Sequence, residues 1–198
     1  HERSRRQRQM CIRDRHDSAH KHVSGAAKYV DDIAVPENTL QILLGQSKFA
    51  HAKILSKDLS QVENFPGVIK VLTSADIPGT NDCSPFAGDD PIFAENVVSY
   101  LGQSVFAVVA EDIKTARNAI ELADIKYEEL PAVITIDQAL ETGNVLGPPA
   151  VIECGKVDQA LAKSKNKLEG KIILGGQEHF YLEGQAAFAV AGEDTDIV

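Results

Sequence analysis

Residues 105–129 read VFAVVAEDIKTARNAIELADIKYEE, and this stretch decides the fold class. It opens with an apolar run of strand length at 105–110 and closes with a second strand-like run at 125–129. Asp112 is suited to cap a helix between them, because its carboxylate can accept a bond from an orphan backbone N–H. Apolar residues spaced by three and four then form one helix face: Ile113, Ala116, Ala119, Ile120 and Ala123. The stretch predicts strand, helix and strand in succession.

Upstream of this stretch, short apolar segments alternate with turn signals. Pro66-Gly67 marks a turn before a segment rich in β-branched residues, and residues 79–92 are polar and predict a long surface loop. Residues 24–33 read as a strand-like entry followed by an acidic turn, and 74–77 as one helical turn. Four further strands are predicted at 40–47, 52–59, 68–73 and 97–100.

Downstream, a short amphipathic helix is predicted to begin at Thr135, and residues 141–155 then carry three Gly and the pair Pro148-Pro149. Adjacent prolines stiffen a chain and cannot donate backbone hydrogen bonds, so we place a linker here. Beyond it we predict a helix at 156–162 and a strand at 167–174, which Gly175-Gly176 interrupts. The strands and helices do not follow a regular βαβ cadence. The fold class is therefore α+β, with one mixed domain at 16–140 and the start of another at 156–198.

The charge balance bears on the classes of partner. The net charge is −9 and the pI is near 5.1, which argues against nucleic acid because phosphate binding needs clustered Lys and Arg. No apolar stretch reaches the 18 or so residues of a membrane span, so no membrane partner is expected. Cys11, Cys83 and Cys154 form no CxxC pair. They are interpreted as free thiols in a reducing cytoplasm, and they supply no iron–sulfur ligand set.

The first 15 residues, HERSRRQRQMCIRDR, form the basic block of an otherwise acidic chain. A basic arm for nucleic acid and a transit peptide are the alternatives that such a block raises. The segment contains acids and lacks an amphipathic pattern, and QMCIRDR resembles translated adapter sequence. We therefore interpret residues 1–15 as a foreign or disordered leader and exclude them from the fold.

Several constellations of reactive residues have ordinary structural explanations. His179 and Glu183 share a face, but a zinc site needs a third ligand and none is evident. Glu128-Glu129 resembles a catalytic carboxylate pair, yet neighbouring strand residues point to opposite faces, which favours a solvated edge. His51 is interpreted as a hydrogen-bonding residue at a strand end. A solvated terminus is preferred to a metal site for His16, His20 and His22, and core packing to substrate stacking for Phe180 and Tyr181.

A series of short motifs occurs in a fixed order between residues 20 and 140. They are GAAKYVDDI at 25–33, FAHAKI at 49–54, PGVIKV at 66–71, TSADIPG at 73–79, YLGQSVFAVVA at 100–110 and YEELP at 127–131. This series resembles the α/β hammerhead domain of the xanthine dehydrogenase and aldehyde oxidase family. The resemblance covers nearly all of residues 20–140.

A second resemblance involves GGQEHFYLE at 175–183, which is similar to the first motif of the molybdopterin-binding domain in the same family. Its form is more similar to that of the xanthine dehydrogenases than to that of the carbon monoxide dehydrogenases or general aldehyde oxidoreductases. The resemblance implies that Gln177 lies beside the molybdenum and hydrogen-bonds an oxygen ligand of the metal, and that Glu183 supports the site. Gly176 would let the backbone approach the cofactor closely. Without the resemblance, Gln177 reads as an ordinary surface residue.

The resemblance implies oxidative hydroxylation of hypoxanthine or xanthine, a step of purine catabolism, with water as the oxygen source. A molybdenum–molybdopterin cofactor would carry the chemistry, and iron–sulfur and FAD centres on partner domains or subunits of an oligomer would receive the electrons. The family's general-base Glu, substrate-orienting Arg and main pterin loops are expected beyond Val198. The chain alone is therefore expected to fold through its hammerhead domain but to be inactive. An aldehyde oxidoreductase and a non-catalytic hammerhead assembly module are the alternatives.

Overall fold

The computed structural model of the protein describes residues 17–85, 88–145 and 147–192. The backbone divides into two compact units. One unit is Pro36–Gln159, and the other combines the described residues up to Val35 with those from Ala160 onward. Each unit is described by itself below.

The unit Pro36–Gln159 contains six strands and three complete helices among its described residues. The strands are β1 (Gln41–Gln46), β2 (Ala52–Asp58), β3 (Val68–Leu72), β4 (Val97–Val98), β5 (Ser104–Ala110) and β6 (Asp124–Glu129). The first helix of the described residues, α1 (Ala19–Ser24), precedes this unit in sequence. Within the unit lie α2 (Ser60–Glu63), α3 (Ile113–Ile120) and α4 (Ile136–Thr142), and α5 (Val157–Lys163) begins at its end. The strands and helices predicted between residues 40 and 142 are confirmed, with ends that differ by a few residues.

The first sheet has the order β1-β5-β3, and both pairings are antiparallel. β5 lies in the centre and is buried along most of its length, which explains its continuous apolar sequence. In the β1–β5 register, Gly45 is the direct partner of Phe106. A side chain at Gly45 would overlap carbons Cδ1, Cε1 and Cζ of the Phe106 ring, so the ring occupies the space above this glycine.

The second sheet has the order β4-β2-β6 and is also antiparallel. Its exposed face carries an ion pair between Lys53 and Glu128, with Nζ and Oε2 3.3 Å apart. Glu128 and Glu129 are both exposed. The solvated edge predicted for this acidic pair is therefore confirmed.

Helix α3 begins where the sequence predicts. The Asp112 carboxylate accepts the Thr115 backbone N–H at 2.9 Å and the Thr115 hydroxyl at 2.7 Å. Ala116 and Ala119 are fully buried against the first sheet, and their small side chains let helix and sheet approach closely. The helix ends at Ile120, so Ala123 lies beyond it but still packs against the core.

One core joins these elements. Its largest fully buried side chains are Phe106, Val62, Val98, Val105 and Val108, drawn from both sheets and from α2. The turn before β3 contains Gly67 at φ +86°, a conformation that suits glycine because a Cβ is strained there. Its carbonyl accepts the Glu111 N–H at 3.0 Å, which ties the predicted turn to the loop that starts α3.

Two sequence predictions in the other unit are wrong. The entry segment 24–33 contains no strand, because α1 runs to Ser24 and a 3₁₀ turn occupies Val30–Asp32. Residues 167–174 form no strand either, although their composition favours one. A strand needs a neighbour to pair its backbone N–H and C=O groups, and no described residue supplies one. The predicted helix at 156–162 is confirmed as α5.

Acid is expected to destabilise the protein through carboxylates that the fold stabilises in their charged form. The Thr115 backbone N–H holds the pKa of Asp112 below its ordinary 3.8, and the Thr73 backbone N–H, followed by Lys70, does the same for the pKa of Asp76. Because both folded pKa values are depressed, their contribution is present above pH 3.8 and is lost as pH falls through the folded values.

The measurement is urea unfolding at about pH 7 and about pH 3. Asp112→Asn combined with Asp76→Asn keeps hydrogen-bond acceptors at both sites but removes both titrations. This double variant is expected to lose less stability between the two pH values than the unmodified chain. An equal loss in both proteins would contradict the prediction.

Candidate functional site

The candidate site residues lie in the segment 175–186, within the unit that includes the residues from Ala160 onward. Every residue of this segment is exposed. Ile172, Ile173 and Leu174, which precede it, are each more than 80% exposed. The strand predicted at 167–174, just before Gly175-Gly176, is absent, so Gln177 does not follow a strand. The side chains and backbone of the segment are accessible to solvent.

Gly175 and Gly176 have open space above their Cα atoms. A Cβ built on either residue meets no atom within 4 Å, and neither has the positive φ that demands glycine. The described residues therefore impose no need for glycine at these two positions. The backbone here is open to close approach by a group that does not belong to the described chain.

Gln177 follows directly, and its side-chain amide has no hydrogen-bond partner within the parts of the chain that the structure describes. A primary amide has two N–H donors and one carbonyl acceptor. An exposed amide beside two unobstructed glycines can donate to an anionic or oxygen-rich ligand that contacts the backbone.

The middle of the segment has a defined local conformation. The Glu178 carboxylate accepts the His179 N–H at 3.1 Å, and the rings of His179 and Tyr181 lie parallel with centroids 5.4 Å apart. Between them, Phe180 has φ +52°, which is unusual for a bulky residue and costs about 1–3 kcal/mol. Phe180 is also 92% exposed, so the core-packing interpretation of this residue is wrong for the described chain.

Glu183 makes a contact that the sequence did not predict. One carboxylate oxygen, Oε1, accepts the Val30 backbone N–H at 3.0 Å, from a residue 153 positions away. A groove beside it is lined by Tyr29, Tyr181 and Glu183, among others, but not by Gln177. The structure thus brings Glu183 to the 3₁₀ turn at Val30–Asp32 and leaves Gln177 outside this groove. A backbone donor leaves no signature in a sequence, so only the folded chain reveals it.

The unit Pro36–Gln159 offers a different kind of cavity. A cleft of about 200 Å³ is lined mainly by apolar side chains, including Phe49, Phe106 and Tyr127. Burial raises the pKa of Tyr127, while a hydrogen bond with Ser47 acts in the opposite direction. The charged residues at its rim, Lys48 and Glu121, pair with each other at 3.8 Å and are largely exposed. The cleft therefore supplies apolar surface rather than groups for acid–base chemistry.

The remaining candidate side chains behave as structural residues. His51 Nδ1 lies 2.7 Å from the Pro131 carbonyl oxygen, which confirms its predicted hydrogen-bonding role. Desolvation, and then the nearby Asp90, raise the pKa of Cys83, which makes this exposed thiol a weaker nucleophile. Cys83 and Cys154 are free thiols.

Neither a metal-ligand cluster nor a membrane-spanning helix occurs among the described residues. Across 17–85, 88–145 and 147–192, no cluster of three or more His, Cys, Asp or Glu side chains has the geometry of a metal site. Within the same residues, no helix has the length and apolar character that a membrane span requires.

Two family models match the chain in succession. The model described as "Aldehyde oxidase and xanthine dehydrogenase, a/b hammerhead domain" matches residues 24–131. The model described as "Molybdopterin cofactor-binding domain" matches residues 140–198, which include Gly176, Gln177 and Glu183. The candidate segment therefore falls inside the second match.

Similar proteins include both xanthine dehydrogenases and aldehyde oxidases, the two groups named in the description of the hammerhead-domain model. A chicken (Gallus gallus) xanthine dehydrogenase/oxidase is 41% identical over 92% of this chain, and a bovine (Bos taurus) aldehyde oxidase 1 is 40% identical over 92%. The solved aldehyde oxidoreductase of Desulfovibrio gigas aligns with 62% of the chain at 30% identity and a TM-score of 0.55. The chain spans only 13%, 14% and 15% of these three proteins respectively.

Proposed function

Because the chain belongs to the aldehyde oxidase and xanthine dehydrogenase family, we propose that it is the N-terminal part of the molybdenum-cofactor subunit of a xanthine dehydrogenase-type hydroxylase. The observation that carries this proposal is the ordered pair of matches, a hammerhead domain at 24–131 followed by a molybdopterin cofactor-binding domain up to residue 198. We assign residues 16–140 to the hammerhead domain, 141–155 to a linker and 156–198 to the start of the cofactor-binding domain.

The residues of the candidate segment fit a molybdopterin cofactor. The open faces of Gly175 and Gly176 would accept a flat ring system or a phosphate without a steric conflict. The exposed amide of Gln177 would donate a hydrogen bond to the polar side of the cofactor without adding charge. Glu183, held by Val30, would support the segment rather than contact the cofactor. Gly176, Gln177 and Glu183 are the proposed cofactor-binding residues, with Gln177 also proposed to lie at the reaction centre and Glu183 to act by supporting the segment.

The bound cofactor would accept two electrons from the substrate while water supplies the oxygen of the new hydroxyl group. The task of this chain would be to bind and orient the cofactor and to shield it from water. Iron–sulfur and FAD centres on partner domains or subunits would receive the electrons, since the described residues contain no clustered metal ligands. The proposal includes a cytoplasmic location, and the exposed free thiols of Cys83 and Cys154 support it because free thiols persist in a reducing compartment.

Xanthine or hypoxanthine is the proposed substrate, because the form GGQEHFYLE favours the xanthine dehydrogenase branch. An aldehyde substrate is the second candidate. It is supported by the 40% identity to the bovine aldehyde oxidase and by the likeness to the Desulfovibrio gigas aldehyde oxidoreductase.

The test is to express the complete reading frame that encodes this chain and to measure its molybdenum content and its turnover. We expect about one molybdenum per subunit and oxidation of xanthine in preference to an aromatic aldehyde. The reverse preference would replace the purine proposal with the aldehyde one. A complete product that contains no molybdenum would refute the hydroxylase and favour a hammerhead assembly module.

A further inference from the structure

The bond between Val30 and Glu183 joins the entry segment of the chain to the candidate cofactor segment. The Val30 N–H donates to Glu183 Oε1 at 3.0 Å, and both residues belong to the same compact unit. A hydrogen bond to a carboxylate is stronger than one between neutral groups. The next residue, Gly184, also lies against this turn, since a Cβ there would be 3.9 Å from Asp31 Oδ2.

The turn itself is built so that the Val30 amide is available. The Asp32 carboxylate accepts the Tyr29 N–H at 3.0 Å, and the Tyr29 carbonyl accepts the Asp32 N–H at 3.0 Å. The Val30 carbonyl accepts the Ile33 N–H at 3.1 Å. These bonds close the turn on itself and leave the Val30 N–H directed to an acceptor outside it, which is Glu183.

Glu183 follows Gln177 by six positions in the same segment, and this segment has no sheet partner. We propose that the Tyr29–Asp32 turn is a positioning element for the candidate cofactor segment, acting through the Val30 amide and the Glu183 carboxylate. We call the hydrogen bond between the Val30 amide and the Glu183 carboxylate the anchor. Its role in cofactor binding rests on the function proposed above, whereas the anchor itself does not. Val30 and Glu183 are positioning residues, because they act on Gln177 only through the backbone between them.

The chain offers a substitution that removes only the donor. Val30 is the first residue of the 3₁₀ turn, where proline is tolerated, and Tyr29 has φ −103° and ψ 171°, the extended conformation that proline requires of its predecessor. Val30→Pro therefore deletes the N–H and preserves the turn. Val30→Ala is the matched control, since it shortens the side chain and keeps the N–H. On the acceptor side, Glu183→Ala removes the carboxylate, and Glu183→Gln replaces it with a neutral acceptor.

The experiment is NMR on the 198-residue chain. In V30P and in E183A, the backbone order parameters of residues 177–186 are expected to fall from roughly 0.8 to below about 0.6. V30A and E183Q should remain near the unmodified chain, and V30P combined with E183A should be no more mobile than either single variant.

Different measurements test the anchor and the proposed function, so the failure of one can be distinguished from the failure of the other. Equal order parameters in V30P and V30A would overturn the anchor whatever the cofactor content of the complete protein. A complete protein without molybdenum would overturn the function and leave a positive NMR result intact. A fall in order that is as large in V30A as in V30P would show that side-chain packing, not the amide, holds the segment, and this too would overturn the proposal.

Discussion

Gly45→Val is expected to lower the free energy of unfolding of the chain by about 3 kcal/mol, at the upper end of the usual cost of overpacking a core. Gly45 and Phe106 are direct partners across β1 and β5, and the Phe106 ring already fills the space above the glycine. Phe106 is 2% exposed and lies on the central strand, so its ring cannot move without disturbing its neighbours. Urea unfolding followed by circular dichroism measures the change.

Three further variants show whether steric overlap is the cause. Gly79→Val places the same side chain in a loop where a Cβ meets nothing within 4 Å, and it should change stability by less than about 0.5 kcal/mol. Phe106→Ala alone should cost about 3–5 kcal/mol, and the double variant with Gly45→Val should be more stable than additivity predicts by about 2 kcal/mol. Additive losses would show that the ring and the glycine are independent.

Gln177→Ala in the complete protein is expected to lower kcat/KM for the proposed substrate about 100-fold, the usual cost of removing one preorganised hydrogen-bond donor at a reaction centre, which is where we propose that Gln177 lies. The fold should not suffer, because Gln177 is exposed and its side chain makes no hydrogen bond within the described residues. The loss should therefore appear with unchanged circular dichroism and unchanged unfolding midpoint. Steady-state turnover of xanthine, with molybdenum content measured in parallel, gives the rate per loaded site.

Gln185→Ala is the matched control for this prediction. It removes the same side chain from the same exposed segment, eight positions further along, outside the GGQEHFYLE motif. Its turnover should stay within about twofold of the unmodified enzyme. If Gln177→Ala and Gln185→Ala lose the same amount, or if neither loses any, Gln177 has no special place in the reaction.

Local patterns predicted the unit Pro36–Gln159 well, and the reasons are physical. A few consecutive residues are enough to predict the cap at Asp112, the alanine-lined face of α3 and the apolar strand β5. Even the 3₁₀ turn at Ser74–Asp76 follows from neighbouring sequence, whereas the partner of His51, the Pro131 carbonyl, lies 80 residues away and could not be named in advance. The pairing of β5 with both β1 and β3 was not readable, because register depends on partners that are distant along the chain.

The same dependence explains the errors in the other unit. The run KIIL at 171–174 has the composition of a strand, but composition cannot supply the neighbour that a strand needs. The contact between Val30 and Glu183 was missed for the opposite reason, since its donor is a backbone group that every residue except proline has. The candidate residues Gly176, Gln177 and Glu183 came from family resemblance, and their roles stay predictions.

The central place of β5 in its sheet also governs the order in which the nascent chain can fold. β1 leaves the ribosome first, yet its partner strand begins about 60 residues later, a delay of about 3–12 s at ordinary rates of translation. Until then Ile42 and Leu44 have no β5 beside them, and β3 waits for the same strand. Emergence of β5 from the ribosome, up to Ala110, is thus the event that allows this sheet to assemble, and chaperone occupancy of the ribosome-bound chain should decline after that point.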